Sequence, residues 1–274
     1  MASRRAVRGP ISHLFASGTG LIIVAPIYLV FVNALKTRPE AASMGVGLPA
    51  SLQWQNFATV IDQGKLVGAF ANSLLYSIGA TALAVTLSAL AAYVLSRNRT
   101  RRNRLIYLLL IAGIAMPTNF VTLTSVMQAT HLINTQLGMI LVYAATQIPF
   151  SVFLIYAFIE TVPRELDEAA LIDGCSPLRA FFRVIFPMLT PVLVTLAVLS
   201  ILNIWNEFLM PLYFLNSTSA WPMTLAVYNF FGQYRADWSL VSADVVLTIL
   251  PVILIYIVAQ RWILSGMGSG AVKG

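Results

Sequence analysis

Charge is what this sequence has least of. Asp, Glu, Lys and Arg make up 10% of 274 residues, where a soluble domain carries about 25%. A chain so poor in charge cannot clothe itself in a hydrated surface, so a freely soluble globule is excluded and lipid is the expected solvent. Cysteine is almost missing: the lone thiol, Cys175, excludes an internal disulfide. Metal-ligand clustering is missing too, since His13 and His131 stand isolated. The sequence contains no GxxxxGK[ST] phosphate loop, no HExxH and no GxSxG. ATP hydrolysis, zinc proteolysis and nucleophile-elbow hydrolysis therefore find no support in this chain. Internal repeats and low-complexity tracts are lacking, as is any polar stretch long enough for a soluble domain. One membrane domain over residues 1–274 is the expectation.

What is present is apolar residue in long runs. Hydrophobic residues are 58% of the chain and the mean hydropathy is +0.81. Since about 20 apolar residues cross a bilayer, six spans are predicted: Leu14–Leu35, Phe70–Leu95, Leu105–Met127, Leu137–Ile159, Met188–Phe208 and Ala243–Leu264. The fold class is thus all-α, a polytopic membrane helix bundle with six transmembrane helices and a helical loop on the inner side. The first run is too long for a signal-peptide core and lacks a small-residue cleavage site, so it reads as a retained span.

The net charge of +7 would suit nucleic acid, but its placement argues otherwise. Thirteen of the 17 basic residues fall on one side of the predicted spans, and Lys36, Arg38, Lys65 and Arg235 on the other. That asymmetry puts the N- and C-termini in the cytoplasm. The cluster Arg97, Arg99, Arg101, Arg102 and Arg104 reads as a juxtamembrane topology signal rather than a phosphate-binding patch. Residues 36–69 and 209–242 form the long outside loops. Trp221, Tyr228, Phe230, Phe231, Tyr234 and Trp238 in the second fit either an aromatic belt or a docking surface or external gate. Pro26, Pro117, Pro149, Pro191 and Pro251 interrupt spans. Thr118, Asn119 and Gln147 beside two of them fit either packing kinks or a broken, path-lining helix.

The inside loop 160–187 is patterned. Pro163 can open a helix, and Glu165, Asp167 and Glu168 follow where the helix dipole favours acid. Gly174 stops that helix, and Ser176-Pro177 starts a second one. Leu178, Phe181, Phe182 and Ile185 then make one apolar face, beside Arg179 and Arg183, and Pro187 closes it. An interfacial amphipathic helix would explain the second half alone. A compact knob for a soluble partner explains both.

Glu168-Ala169-Ala170, three residues, Gly174, twelve residues and Pro187 resemble the "EAA" loop of permeases from binding-protein-dependent ABC importers. That pattern is EAA, three residues, Gly, nine residues, Ile, one residue, Leu-Pro; Val184 and Phe186 stand in the Ile and Leu slots. Phe70-Ala71-Asn72-Ser73-Leu74 resembles the opening of the family's membrane core. Trp205-Asn206-Glu207-Phe208-Leu209 and the ending Gly270-Ala271-Val272-Lys273-Gly274 resemble its carbohydrate-uptake, maltose-type subfamily.

The resemblance implies a bacterial inner-membrane protein that pairs with a second, homologous permease. Two cytoplasmic ATP-binding subunits would grip the loop through Glu168, Ala169, Ala170, Asp173, Gly174 and Pro187. An extracytoplasmic solute-binding protein would deliver a sugar or sugar-like solute. ATP and Mg would belong to the partner ATPase; no cofactor is expected here, and no nucleic acid. A glycerol phosphate ester or amino sugar remains open as cargo. The rival class is an ion-coupled secondary transporter, with Glu207 and Asp244 as candidate coupling groups, but the chain lacks the repeats such folds carry.

Asn203, Asn206 and Glu207 recur at i, i+3, i+4 on the fifth predicted span. They fit either one face of the outward pore or, for Glu207, a reach into the interface. Cys175 tests the orientation. A membrane-impermeant maleimide is expected to label it in inverted vesicles and not in intact cells; labelling from outside would overturn the topology.

Overall fold

The computed structural model describes residues 10–231 and 236–271, and these residues form helices joined by turns and by longer segments such as 42–54. Helix α1 covers Pro10–Ala34, α2 Arg38–Ala41, α3 Gln55–Gln63, α4 Leu66–Arg97, α5 Arg101–Ala115, α6 Phe120–Ala129 and α7 Gln136–Ile159. Then come α8 Glu165–Ile172, α9 Pro177–Ala180, a π-helical segment Phe181–Ile185, α10 Phe186–Met188 and α11 Thr190–Asn206. Helices α12 Leu209–Phe214, α13 Met223–Ala226 and α14 Trp238–Ala271 complete the order. The side chains of Arg261 and beyond, and the residues Tyr234, Arg235 and 272–274 of the predicted loop and tail, lie outside what is described.

Among the described residues, four helices are long and apolar enough to cross a membrane unbroken: Ser17–Ala34, Leu66–Arg97, Gln136–Ile159 and Trp238–Gln260. Two further pairs qualify only as bent spans, Arg101–Ala115 with Phe120–Ala129 at 119° and Pro177–Met188 with Thr190–Asn206 at 76°. The protein is an all-α, multi-pass bundle with four to six candidate spans. The predicted third span is therefore not one straight helix. Met116, placed before Pro117, adopts an extended ψ of 122°, as steric contact with a following proline demands. Asn119 then restarts the chain as α6 by accepting the N–H of Thr122 at 3.1 Å. Pro26, Pro149 and Pro251 lie instead inside continuous helices.

The chain divides into two compact units, residues 1–67 with 226–250, and residues 68–225 with 251–274. In the first, Glu40 organises the turn after α1. Its carboxylate accepts the backbone N–H of Thr37 at 3.1 Å, the Thr37 hydroxyl at 2.9 Å and the N–H of Ala50 at 3.3 Å. These bonds, led by the Thr37 N–H, hold its carboxyl below the ordinary value. Arg38 meets Asp237 at 3.4 Å, an exposed pair of small energetic consequence.

The second unit has two cores. Small residues on α4, Ala80 and Ala84, are fully buried and let the neighbouring backbones approach. They pack with Tyr76, Met139, Tyr143 and Phe214. The other core joins Ala89 and Ala92 of α4 to Val152, Ile155, Ile159, Phe181, Ile185 and Leu189. Residues 209–225, part of the second long outside loop expected from the sequence, contribute Met210, Phe214, Leu215 and Ala220 to the first core. Helix α4 pins this segment in place. Asn72 donates to the carbonyls of Ser219 at 2.8 Å and Trp221 at 3.1 Å, and accepts from Gln136. The Ser73 hydroxyl accepts the Met223 N–H at 2.9 Å, and the Tyr76 hydroxyl donates to the Ala220 carbonyl at 2.7 Å.

Asn72→Ala orphans these carbonyls and is expected to cost about 1–3 kcal/mol, read as a lower unfolding midpoint in detergent. An unchanged midpoint would show that the segment holds without α4.

Candidate functional site: a two-helix loop and a polar cleft

Helix α8 ends at a left-handed glycine. Gly174 has φ +79°, its N–H bonds the Leu171 carbonyl, and the Cys175 N–H bonds the Ala170 carbonyl, both at 3.0 Å. This 5→2 and 6→1 pair is a Schellman motif. A Cβ at Gly174 would meet no atom within 4 Å, so the demand for glycine is one of backbone angle, not space. Ser176, extended at ψ 156°, precedes Pro177 at the start of α9, as the sequence predicts.

The second half departs from expectation. The helix does not close at Pro187; that residue lies inside α10, and the turn comes at Leu189. The π segment supplies the reason. The Phe186 N–H reaches back to the Phe181 carbonyl, and this widened turn accommodates a proline that has no N–H to continue an α-helical ladder. It also splits the predicted apolar face. Phe181 and Ile185 are buried, whereas Leu178 and Phe182 are exposed. With Leu171 and Ile172, 51% and 86% exposed, they give the loop an uncovered apolar surface. Glu168, Ala169 and Asp173 are exposed beside it, and Ala170 is buried.

Three side chains that the sequence did not single out as a group hold this loop to α4. Arg97 Nε lies 2.9 Å from Asp167 Oδ2, with both side chains about 15% exposed. The Tyr93 hydroxyl donates to Asp167 Oδ1 at 2.7 Å. The Tyr93 ring packs on Phe181 with centroids 5.0 Å apart. Arg97 also donates to the Val162 carbonyl and Arg164 to the Ser96 carbonyl. Glu160 takes Arg99 and the Ser96 hydroxyl. Asp167 and Arg97 are separately visible as a helix-start acid and a topology arginine; a separation of 70 positions hides their pairing.

Elsewhere in the unit, the break before α6 opens a cleft of about 760 Å³. Gly113 brings α5 onto α7, where a Cβ would come 3.1 Å from the Pro149 ring. Thr118, Gln147, Asn203 and Glu207 line the cleft among apolar side chains. Gln147 donates to Asn203 at 3.1 Å and accepts from Ser200. Helix α11 stops at Asn206, and Glu207 is extended at ψ 131°. Its carboxylate accepts the N–H groups of Leu209 and Met210 at 3.0 and 2.8 Å, capping α12. Asn206 does not line the cleft; its amide donates to the Leu202 carbonyl. Asn203 and Glu207 thus share a site with Gln147, and Asn206 is apart from it. Among the described residues no group of His, Cys, Asp and Glu could hold a metal.

Residues 84–268, which include both the loop and the residues lining the cleft, match the family of binding-protein-dependent transport system inner membrane components. The chain belongs to this family. The permease is 34% identical over 255 residues to the probable starch degradation products transport system permease protein AmyC of Thermoanaerobacterium thermosulfurigenes, covering 92% of this chain and 93% of the relative. It is 32% identical to the melibiose/raffinose/stachyose import permease protein MelC of Bacillus subtilis, covering 91% of each. It is 30% identical to the trehalose transport system permease protein SugB of Mycobacterium tuberculosis over the full length of both. In structure, the permease superposes on a chain of a bacterial ABC transporter that imports the acidic polysaccharide alginate. The TM-score is 0.82, with 19% identity and coverage of 95% of this chain and 98% of that one. This last likeness is one of fold. As a permease it is a transport component rather than a catalyst.

Removing one partner of a buried ion pair costs about 3–5 kcal/mol when desolvation is complete, and less for a pair this close to solvent. Arg97→Ala is expected to raise amide exchange in α8 by roughly tenfold, the ratio about 1.4 kcal/mol gives, with α7 unchanged. Unaltered exchange in α8 would mean the pair does not hold the loop.

Proposed function

We propose that this chain forms half of the translocation path for a sugar or sugar-like solute crossing the bacterial inner membrane, driven by ATP hydrolysed elsewhere. A second homologous permease completes the path. Two cytoplasmic ATP-binding subunits, which carry ATP and Mg, dock on the 160–188 loop, and an extracytoplasmic solute-binding protein delivers the solute. Residues 1–274 act as one permease domain. Each bent helix pair counts as one span, giving six, with both termini and the loop in the cytoplasm. The basic-residue asymmetry supports that orientation. The relatives' names, which concern starch degradation products, melibiose, raffinose and stachyose, and trehalose, support the solute class.

The observation that carries the mechanism is the corner at Gly174. A soluble motor needs an exposed, stiff handle. Glu168, Asp173, Leu171, Ile172, Leu178 and Phe182 offer acid and apolar surface on such a handle, while Ala169, Ala170, Gly174 and Pro187 set its shape. ATPase closure would push α8 and α9 together, and the tie to α4 would carry that displacement into the spans. Asn203, Glu207 and Gln147 offer amide and carboxylate groups to a polyhydroxylated solute in the cleft. Asn206 is left out of this part of the path.

A β-branched residue at φ +79° is strained by about 1–2 kcal/mol and would turn α8 against α9. Gly174→Val and Glu168→Lys are expected to abolish uptake and to uncouple ATPase activity from loaded binding protein, with the importer still assembled in the membrane. Arg38→Ala serves as the control, with coupling intact. Normal ATP-driven uptake in both loop variants would refute the coupling role.

A further inference from the structure

A second cavity, of about 530 Å³, opens beside the junction of α4 and α5, a volume within the roughly 300–1,000 Å³ of ligand clefts. Three arginines line it, Arg99, Arg101 and Arg104, against one carboxylate, Glu160. That carboxylate is already engaged by Arg99 and by the Ser96 hydroxyl. Arg101 and Arg104 form no ion pair with any described residue.

Their position makes the lack of a counter-charge more costly. Both stand in the first turn of α5, which contains no acid. Cations at that end of a helix oppose its dipole, so an anion entering between them would be favoured. The other walls are not those of a soluble-anion site. Tyr107 stacks on Tyr156 with centroids 4.1 Å apart, and both rings line the cavity with Leu95 and Leu108. Leu108 is 53% exposed, and its neighbours Leu105 and Leu109 are 58% and 65% exposed. Guanidinium groups and uncovered leucines on α5, with the paired tyrosines of α5 and α7 between them, match an amphiphile with an anionic head and an apolar tail.

We propose that this cavity binds the phosphodiester headgroup of an anionic phospholipid. Arg101 and Arg104 would grip the phosphate oxygens in the forked geometry guanidinium favours, and the acyl chains would run along the exposed leucines. The leaflet is the cytoplasmic one in the orientation given above. The inference rests on that membrane placement and not on the identity of the transported solute. Because Glu160 is tied through Ser96 to α4 just beside Arg97, an occupied cavity would stiffen the same helix end that holds the 160–188 loop.

The test uses the assembled importer in vesicles of phosphatidylcholine with and without phosphatidylglycerol, with lipid retention read by native mass spectrometry. Wild type is expected to keep phosphatidylglycerol in preference to phosphatidylcholine. Arg101→Gln with Arg104→Gln is expected to weaken that retention about tenfold to thirtyfold, the effect of two arginine charges at a membrane surface. Arg102→Gln, which removes an equal charge from the same turn outside the cavity, is expected to change it little. Equal retention by wild type and the double variant would overturn the site. So would equal losses in the Arg102 variant, which would reduce the effect to general surface charge. Displacement of the lipid by millimolar inorganic phosphate would overturn the lipid as ligand in favour of a soluble phosphate. Absence of sugar uptake by the wild-type importer, with lipid retention intact, would count against the solute-transport reading and leave the lipid site standing.

Discussion

Tyr93 touches both halves of the 160–188 loop, and the rest of the arrangement depends on that. Its hydroxyl holds Asp167 on α8, its ring holds Phe181 in the π segment, and Arg97, one turn on, completes the hold with an ion pair. A loop between two membrane helices would ordinarily be the most mobile part of the chain. Here it is fastened to the end of α4, a helix of 32 residues whose buried alanines pack tightly along both cores. In the proposed coupling, displacing α8 would therefore displace α4. Through Asn72, Ser73 and Tyr76 the same helix holds segment 219–223 near its other end, so a push on the loop has a continuous stiff element to act on.

The parts that could be read from sequence are those fixed by local chemistry. Gly174 gives a left-handed stop because no Cβ is there to oppose it, and Ser176-Pro177 starts a helix wherever it stands. The apolar length of α4, α7 and α14 shows directly as runs of hydrophobic residues. What escaped was either long-range or the resolution of a local conflict. The Arg97–Asp167 pair joins residues 70 positions apart, and charge alone names no partner. Pro187 looks like a terminator by residue type, but the π turn before it absorbs the missing N–H and the helix runs on. That turn also shifts the face, so a periodicity of 3.6 correctly groups Phe181 with Ile185 and wrongly adds Leu178 and Phe182.

The cleft teaches a similar lesson. Asn203 and Glu207 reach the cleft although the helix ends between them at Asn206, whose own amide turns back to the Leu202 carbonyl. Glu207 then spends its carboxylate on the first N–H groups of α12, a use that a continuous span would not have offered. Gln147 and Thr118 enter the cleft because Pro117 breaks the third predicted span, and the size of that break, 119°, could not be inferred from a proline that elsewhere in this chain leaves helices unbroken. Segment 209–225 shows the reverse case: residue types alone say nothing of its packing, and hydrogen bonds from α4 allow part of its backbone to be buried.

The central claim is that α8 and the end of α4 move as one body. Spin labels at Cys175 and at a cysteine replacing Asn98, in the assembled importer, measure it directly by pulsed electron resonance. The account predicts an unchanged distance between the two labels with and without bound ATP, together with a changed distance between Cys175 and a label on the partner permease. A Cys175-to-98 distance that shifts on ATP binding would show the loop swinging free of α4, and would contradict it.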